Sequence, residues 1–204
     1  GITPSGLEFM ERDALIWTKE FMGETSVPVA DNHQAHLLIE VDGFDQEQLM
    51  LECEKIFSVL ENFETDEILF ADSEAQKTTL WSLRRKVAEA VKAQSIYKEE
   101  DTVVPRFALP ELLYQVKEIG KKYGFKSVCY GHAGDGNLHV NIIKGDLSDE
   151  FWEKDLTLAI REIFTEVIKL GGTISGEHGI GLVQKQYMDI AFPEITLNLM
   201  RQIK

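Results

Sequence analysis

KSVCYGHAGDGNLHVNII, residues 126–143, is the stretch on which the fold turns. Two apolar, β-rich runs, KSVCYGH and GNLHVNII, flank a glycine loop. That loop contains Asp135-Gly136, a dipeptide that tight hairpin turns prefer. With Asp135 and Gly136 at the two central turn positions, Gly134 faces Asn137, Ala133 faces Leu138, and His132 faces His139. Directly opposed residues project from one face of a hairpin, with Cβ atoms ~5 Å apart. Both rings can then reach one cation, and neutral imidazole is a common metal ligand. The alternative is a solvated hairpin tip whose histidines only flank a loop. The hairpin alone leaves both readings open.

Outward from the hairpin, segments of period 2 and period 3.6 alternate. Toward the N-terminus, Leu7 to Met10 reads as a strand and Glu11 to Met22 as an amphipathic helix. QAHLLIEVDG, 34–43, is a strand ending in a turn signal. Gln46 to Leu60 carries Leu49, Cys53, Ile56, Phe57 and Leu60 at helical spacing. DEILFAD, 66–72, reads as a further strand. Ser73 caps a long helix with a stripe of Leu80, Leu83, Val87 and Val91. DTVVP, 101–105, is strand-like, and Pro110 sits in the first turn of the helix ELLYQVKEIGKKYG. Beyond the hairpin, Ser148 caps a helix with Leu147 and Trp152 placed as a staple. Its stripe is Trp152, Leu156, Ile160, Ile163 and Val167, and Gly171-Gly172 ends it. GGTISGEHGIG, 171–181, and two shorter helices follow. The order predicts an α+β chain: a ferredoxin-like sandwich with helices on one face of a largely antiparallel sheet. Two ferredoxin-like halves fit that order, although no sequence repeat and no low-complexity linker marks a division.

The formal net charge of −14 argues against nucleic acid and anionic membrane surfaces as partners, because both are bound through Lys and Arg. A small anionic substrate needs only a local cation. The two cysteines, Cys53 and Cys129, read as buried thiols rather than a disulfide framework. No run is long and apolar enough to span a bilayer, and no secretory signal opens the chain. Residue 1 is Gly, and LNLMRQIK at the other end reads as helix without a stop. The expectation is a piece of a longer polypeptide.

Two further stretches carry chemistry. In SGEHGIG, 175–181, Glu177 and His178 lie between glycines, which let another chain or a ligand approach closely. Glu177 suits a third, hard ligand beside two histidines. Adjacent residues point apart, so His178 is then free to face a substrate. The bland reading is a polar surface turn. In LWSLRRK, 80–86, Arg84 lies beside the apolar stripe, where an Arg can grip a carboxylate bidentately. The bland reading there is an ordinary solvated Arg. His33 and His36 receive no role. GHAGDGN lacks the spacing of a dinucleotide fingerprint, and neither a P-loop nor a G-x-S-x-G elbow is present.

Taken together, ITPSGLEFM, LWSLRRK, EDTVVPR, YGHAGDGNLHVNI and GGTISGEHGIGLVQK resemble the C-terminal, substrate-side domain of FAD-linked oxidases. These are the enzymes related to D-lactate dehydrogenase, glycolate oxidase and D-2-hydroxyglutarate dehydrogenase, and the resemblance covers nearly all of residues 1–204. It implies a domain that caps a flavin held by an upstream FAD-binding domain lying outside this chain. It implies a divalent metal (Zn, Mn or Fe) on His132, His139 and Glu177. It also implies His178 as the base at the substrate hydroxyl, Arg84 on the substrate carboxylate and Asn137 in the same pocket. It further implies that Gly134, Gly136 and Gly179 lie beside the cofactor. The implied reaction is oxidation of a D-2-hydroxy acid to the 2-oxo acid, with the hydride passing to FAD, and the chain alone is expected to be inactive. Implied partners are the small hydroxy acid, the FAD domain, a downstream electron acceptor and a second copy in a homodimer. The implied location is the cytoplasm or the inner membrane face. Some family members carry a lysine where this chain reads YKEED, which leaves the role of Tyr97, Lys98 and Glu99 open. Two rival readings use the same residues: a metal-dependent hydrolase that needs no flavin, and a non-catalytic ferredoxin-like ligand-binding module.

Overall fold

A computed structural model describes residues 2–23, 25 and 27–203. Five strands form one antiparallel sheet: β1 (Gly6–Glu11), β2 (Ala35–Glu40), β3 (Tyr97–Val103), β4 (Lys126–His132) and β5 (Asn137–Ile143). Their spatial order is β2-β1-β4-β5-β3. The helices are α1 (Arg12–Met22), α2 (Gln46–Leu60), α3 (Glu74–Gln94), α4 (Leu109–Tyr123), α5 (Leu156–Lys169), α6 (Met188–Ala191) and α7 (Glu194–Ile203). The α+β class and the antiparallel sheet are as expected. The strands make a single sheet rather than two halves.

Helices cover both faces of this sheet, where one covered face was expected. The reason lies in β4. Successive residues of a strand point to opposite faces, yet Val128, Cys129 and Tyr130 are all buried. Val128 and Tyr130 join Met10, Leu15, Leu83, Val87 and Val91 in a core beneath α1 and α3. Cys129 joins Leu138, Val140 and Ile142 in a larger core with Leu112 and Val116 of α4 and Leu156, Ile160, Ile163 and Val167 of α5. A central strand apolar on both sides needs a layer on each. α3 begins with the expected cap: Ser73 Oγ accepts from the Gln76 backbone N–H, and the Gln76 side chain returns to the Ser73 N–H.

Two strand expectations change. DEILFAD forms no strand; Ile68 and Phe70 stay well exposed. Beyond β1 the sheet already ends in β2, and the segment lies instead against α2, with Phe70 6.1 Å from Phe57. Asp66 anchors it through a 2.7 Å contact with His33 Nε2. In contrast, β3 starts at Tyr97, four residues before the apolar stretch that marked it. Its charges conceal it, because three of the four find a partner in the fold. Lys98 Nζ donates to the Trp152 carbonyl at 2.8 Å, and Asp101 receives a loop described below.

Glu100 is the exception. It is 1% exposed, with one carboxyl oxygen lacking any hydrogen-bond partner. Burial pushes its carboxyl up to about 8, against the opposing charge of Lys98. An acid raised in the folded state adds stability that is full below its unfolded pKa and is lost as pH rises through the folded one. Glu100→Gln removes that titration. The variant is therefore expected to out-melt the parent by about 4 °C or more near pH 9 and to lose the advantage near pH 5. Thermal melts across that range check it, and parallel curves would exclude a buried titrating Glu100.

Candidate active site

The 126–143 hairpin closes differently from the two-residue turn expected. Tyr130 pairs with His139 and Cys129 with Val140, so the loop spans residues 133–136. Asp135 N–H donates to the His132 carbonyl at 3.0 Å, and Gly136 N–H to the Ala133 carbonyl at 3.2 Å. The register differs by two residues from the expected one, and a shift of two leaves every side chain on its original face. His132 and His139 become diagonal neighbours on one face, with ring centroids 5.9 Å apart.

Glu177 reaches this pair from the 175–181 loop. Its Oε1 lies 3.4 Å from His132 Nε2, and its Oε2 lies 3.8 Å from His139 Nε2. One donor atom from each of the three residues falls within 4.8 Å of the others. Two imidazole nitrogens and a carboxylate oxygen at that separation suit a divalent transition ion with open positions. The residues therefore fit the metal that the sequence resemblance implied. The ring of His178 stacks on that of His139, with centroids 5.4 Å apart and planes at 27°.

The loop is held by a group the sequence reading passed over. Asp101 is fully buried on β3, opposite His139. Its Oδ2 accepts the backbone N–H of Glu177 at 2.7 Å, that of His178 at 2.8 Å, and the Ser175 hydroxyl at 3.0 Å. Burial raises its carboxyl, but these donors and the Asn137 amide together outweigh it and hold the group below the ordinary Asp range. Gly176 permits the close approach, since a Cβ there would lie 2.2 Å from Asn137 Nδ2.

Arg84 and the three ion-facing residues line one cavity of about 480 Å³ with His178, Glu8, Glu99 and Tyr130. Arg84 Nε donates to Glu8 Oε2 at 2.7 Å, and its guanidinium carbon lies 5.4 Å from the centroid of the Tyr130 ring. With Nε fixed on Glu8 and the plane set over an aromatic ring, the two Nη groups are left for a ligand. Glu8 does double duty, because its Oε1 lies 2.8 Å from His132 Nδ1. Burial, and then the charge of Glu99, push the Tyr130 phenol up to about 12, so it stays protonated and is no base. Arg85 and Lys92 add positive charge at the cavity wall.

Other expected residues lie elsewhere. Asn137 is 2% exposed and donates its amide to Asp101 Oδ1 at 2.7 Å and to the Thr102 carbonyl at 3.1 Å. It does not line the cavity; it braces the loop's anchor. Gly134 N–H donates to the Leu7 carbonyl at 2.9 Å, and Gly136 carbonyl accepts from Val104 N–H at 3.0 Å. Gly136 has φ of +76°, and a Cβ there would meet the Val104 carbonyl oxygen at 1.9 Å. These two glycines seat the hairpin on neighbouring backbone. Gly179, with φ of +74°, has nothing within 4 Å of its would-be Cβ. Glu8 and Asp101 carry no signal in the sequence and Glu99 was left without a role, although each sits in a strand whose alternation points it toward the histidine face.

Residues 1–204 match the family model described as FAD linked oxidases, C-terminal domain. A D-lactate dehydrogenase of Anaerostipes hadrus is 30% identical over 207 residues, covering 100% of this chain and 44% of the relative. Glycolate oxidase subunit GlcD of Bacillus subtilis is 31% identical over 210 residues, with 100% and 42% covered. A D-2-hydroxyglutarate dehydrogenase of Stutzerimonas stutzeri is 34% identical over 140 residues, with 67% and 30% covered. The chain thus spans less than half the length of these relatives. Among the described residues, no helix is long and apolar enough to cross a membrane.

Proposed function

The chain belongs to the family of FAD-linked oxidase C-terminal domains, and from that premise we propose that it forms the substrate side of a flavoenzyme oxidising a D-2-hydroxy acid to the 2-oxo acid. Its relatives bear the names of lactate, glycolate and 2-hydroxyglutarate enzymes. The observation that carries the reading is the meeting of His132, His139 and Glu177 with Arg84 and His178 around one cavity.

Each residue has a task set by its placement. Arg84 takes the substrate carboxylate on its Nη groups, and Glu8 fixes the approach angle by holding Nε. His132, His139 and Glu177 would hold a divalent cation. When bound, that cation supplies Lewis-acid polarisation of the substrate hydroxyl, and the flavin of the remaining part of the protein supplies the two-electron oxidation. His178 receives the hydroxyl proton on its ring, which the backbone hydrogen bond to Asp101 and the stack on His139 hold at the cavity wall. Proton loss to His178 together with that two-electron oxidation at C2 would convert the hydroxy acid to the 2-oxo acid.

Anaerobic mixing of the flavoprotein containing this chain with D-2-hydroxy acids tests the reading. Bleaching of the flavin by D-lactate, glycolate or D-2-hydroxyglutarate is expected, with a dye acceptor restoring it. Hydrolysis of esters or amides by the protein, with its flavin staying oxidised under every hydroxy acid, would overturn it in favour of a hydrolase.

A further inference from the structure

We propose that Glu8 and Glu99 are positioning residues that hold the proton of each site histidine on Nδ1, so that both Nε2 lone pairs face the cation position. The proposal rests on the metal reading of His132, His139 and Glu177 given above. Its observation is a row of four side chains across four adjacent strands.

The strands β1, β4, β5 and β3 lie side by side and contribute Glu8, His132, His139 and Glu99 in that order. Glu8 is the direct partner of His132 in the β1–β4 register. Asp101 is the partner of His139, and Glu99 lies two residues along on the same face. Each outer carboxylate touches the inner ring on its Nδ1 side: Glu8 Oε1 to His132 Nδ1 is 2.8 Å, and Glu99 Oε1 to His139 Nδ1 is 3.2 Å. On the opposite side, both Nε2 atoms face the two oxygens of Glu177.

A neutral imidazole has one N–H and one lone pair. A carboxylate accepts only, so the tautomer with N–H toward it is favoured, and the lone pair moves to the other nitrogen. At His139 the 3.2 Å contact is not aligned as a hydrogen bond, and Nδ1 has no other partner among the described residues. The ring is 5% exposed, so water does not compete and the Glu99 oxygen is the acceptor to which an Nδ1 proton can turn. A lone pair there would be buried against an anionic oxygen. Glu8 is itself immobilised by Arg84, which couples the metal side of the cavity to the substrate side. Glu99 has no such second tie among the described residues, so its role can be removed alone. This gives the Tyr97–Lys98–Glu99 segment a task that composition did not reveal.

The test uses the flavoprotein with ¹⁵N-labelled histidine and Zn²⁺ as the probe ion. In the metal-free parent, nitrogen shifts should report both His132 and His139 as Nδ1–H tautomers. Glu99→Leu should move His139 toward the Nε2–H form and weaken Zn²⁺ by about 10- to 100-fold. Glu99→Gln keeps an acceptor oxygen and should restore the tautomer and most of the affinity. An Nε2–H His139 in the parent overturns the proposal, and so does a Glu99→Leu protein with unchanged tautomer and affinity. Equal loss of Zn²⁺ in both variants at an unchanged tautomer would make Glu99 a ligand through the Glu99–His139–His178 cluster, and also overturns it. Expected tautomers in a parent that binds no Zn²⁺ would sink the metal reading while leaving the positioning intact.

Discussion

Turnover of the flavoprotein is expected to fall by about 10²- to 10⁴-fold when His178 is replaced by Ala, with its divalent metal content unchanged. The pairing of those two outcomes matters more than either alone. His178 is adjacent to Glu177 in the chain, and both backbone N–H groups are held by the same Asp101 oxygen. Their side chains diverge: Glu177 turns to the two Nε2 atoms, while the His178 ring stacks on His139 and stays exposed at the cavity wall. Deleting the ring removes a proton acceptor without disturbing the His132–His139–Glu177 set. The rate of flavin reduction after rapid anaerobic mixing gives the first quantity, and elemental analysis gives the second. A variant that keeps the parent's reduction rate would exclude His178 as the base. A variant that loses its metal would place His178 among the ligands, where the Glu99–His139–His178 grouping offers an alternative.

The part of this site that was legible in the sequence was the part encoded locally. His132 and His139 lie on one strand pair, and their shared face follows from the period of two. That conclusion survived an error of two residues in the turn. Had the error been one residue, the rings would have faced opposite layers. Glu177 and His178 stood out because glycines surround them. Glu8 and Asp101 were illegible for the converse reason. Glu8 sits in GLEFME, an ordinary alternating strand, and its partner His132 lies 124 positions away. Asp101 opens DTVVP as one more acid in an acidic chain, and its loop lies 74 to 77 positions on. A strand acid directly facing the histidine layer is a usable signal, but only once the strand order is known. Asn137, Gly134 and Gly136 share one structural task. A polar or glycine residue beside chemistry-bearing neighbours reads from sequence as a ligand contact, and the structure shows these three also holding the backbone or anchor that carries the neighbours.

That distinction sets up the largest combined effect: Asp101→Ala is expected to lose metal affinity and turnover together. The buried carboxylate holds the 175–178 backbone through two amide hydrogen bonds and a Ser175 hydroxyl, and Asn137 steadies it from behind. Without it, the two amides have no acceptor at their present positions, at about 1–3 kcal/mol each if they stay buried. The loop therefore relaxes toward water and carries Glu177 and His178 away from the cavity. A misplacement of ~1 Å can lower a rate by about 10²-fold. Zn²⁺ affinity should drop by at least about tenfold and turnover by at least about 100-fold, whereas His178→Ala spares the metal. Because hydrogen bonding depresses the Asp101 carboxyl, the clamp is present above the unfolded Asp pKa and releases only as pH falls through the depressed value. Neutral-pH assays thus report the intact clamp. Asp101→Asn is expected to fall between parent and Ala, because its remaining oxygen can still face the loop while the new amide turns to Asn137. Asn137 Oδ1 now lacks a partner and can accept it after a flip of its own amide. Amide exchange of the 175–178 backbone supplies the decisive measurement. Protection equal to the parent in Asp101→Ala, with parent-like Zn²⁺ binding, would show that the loop holds its shape without the carboxylate.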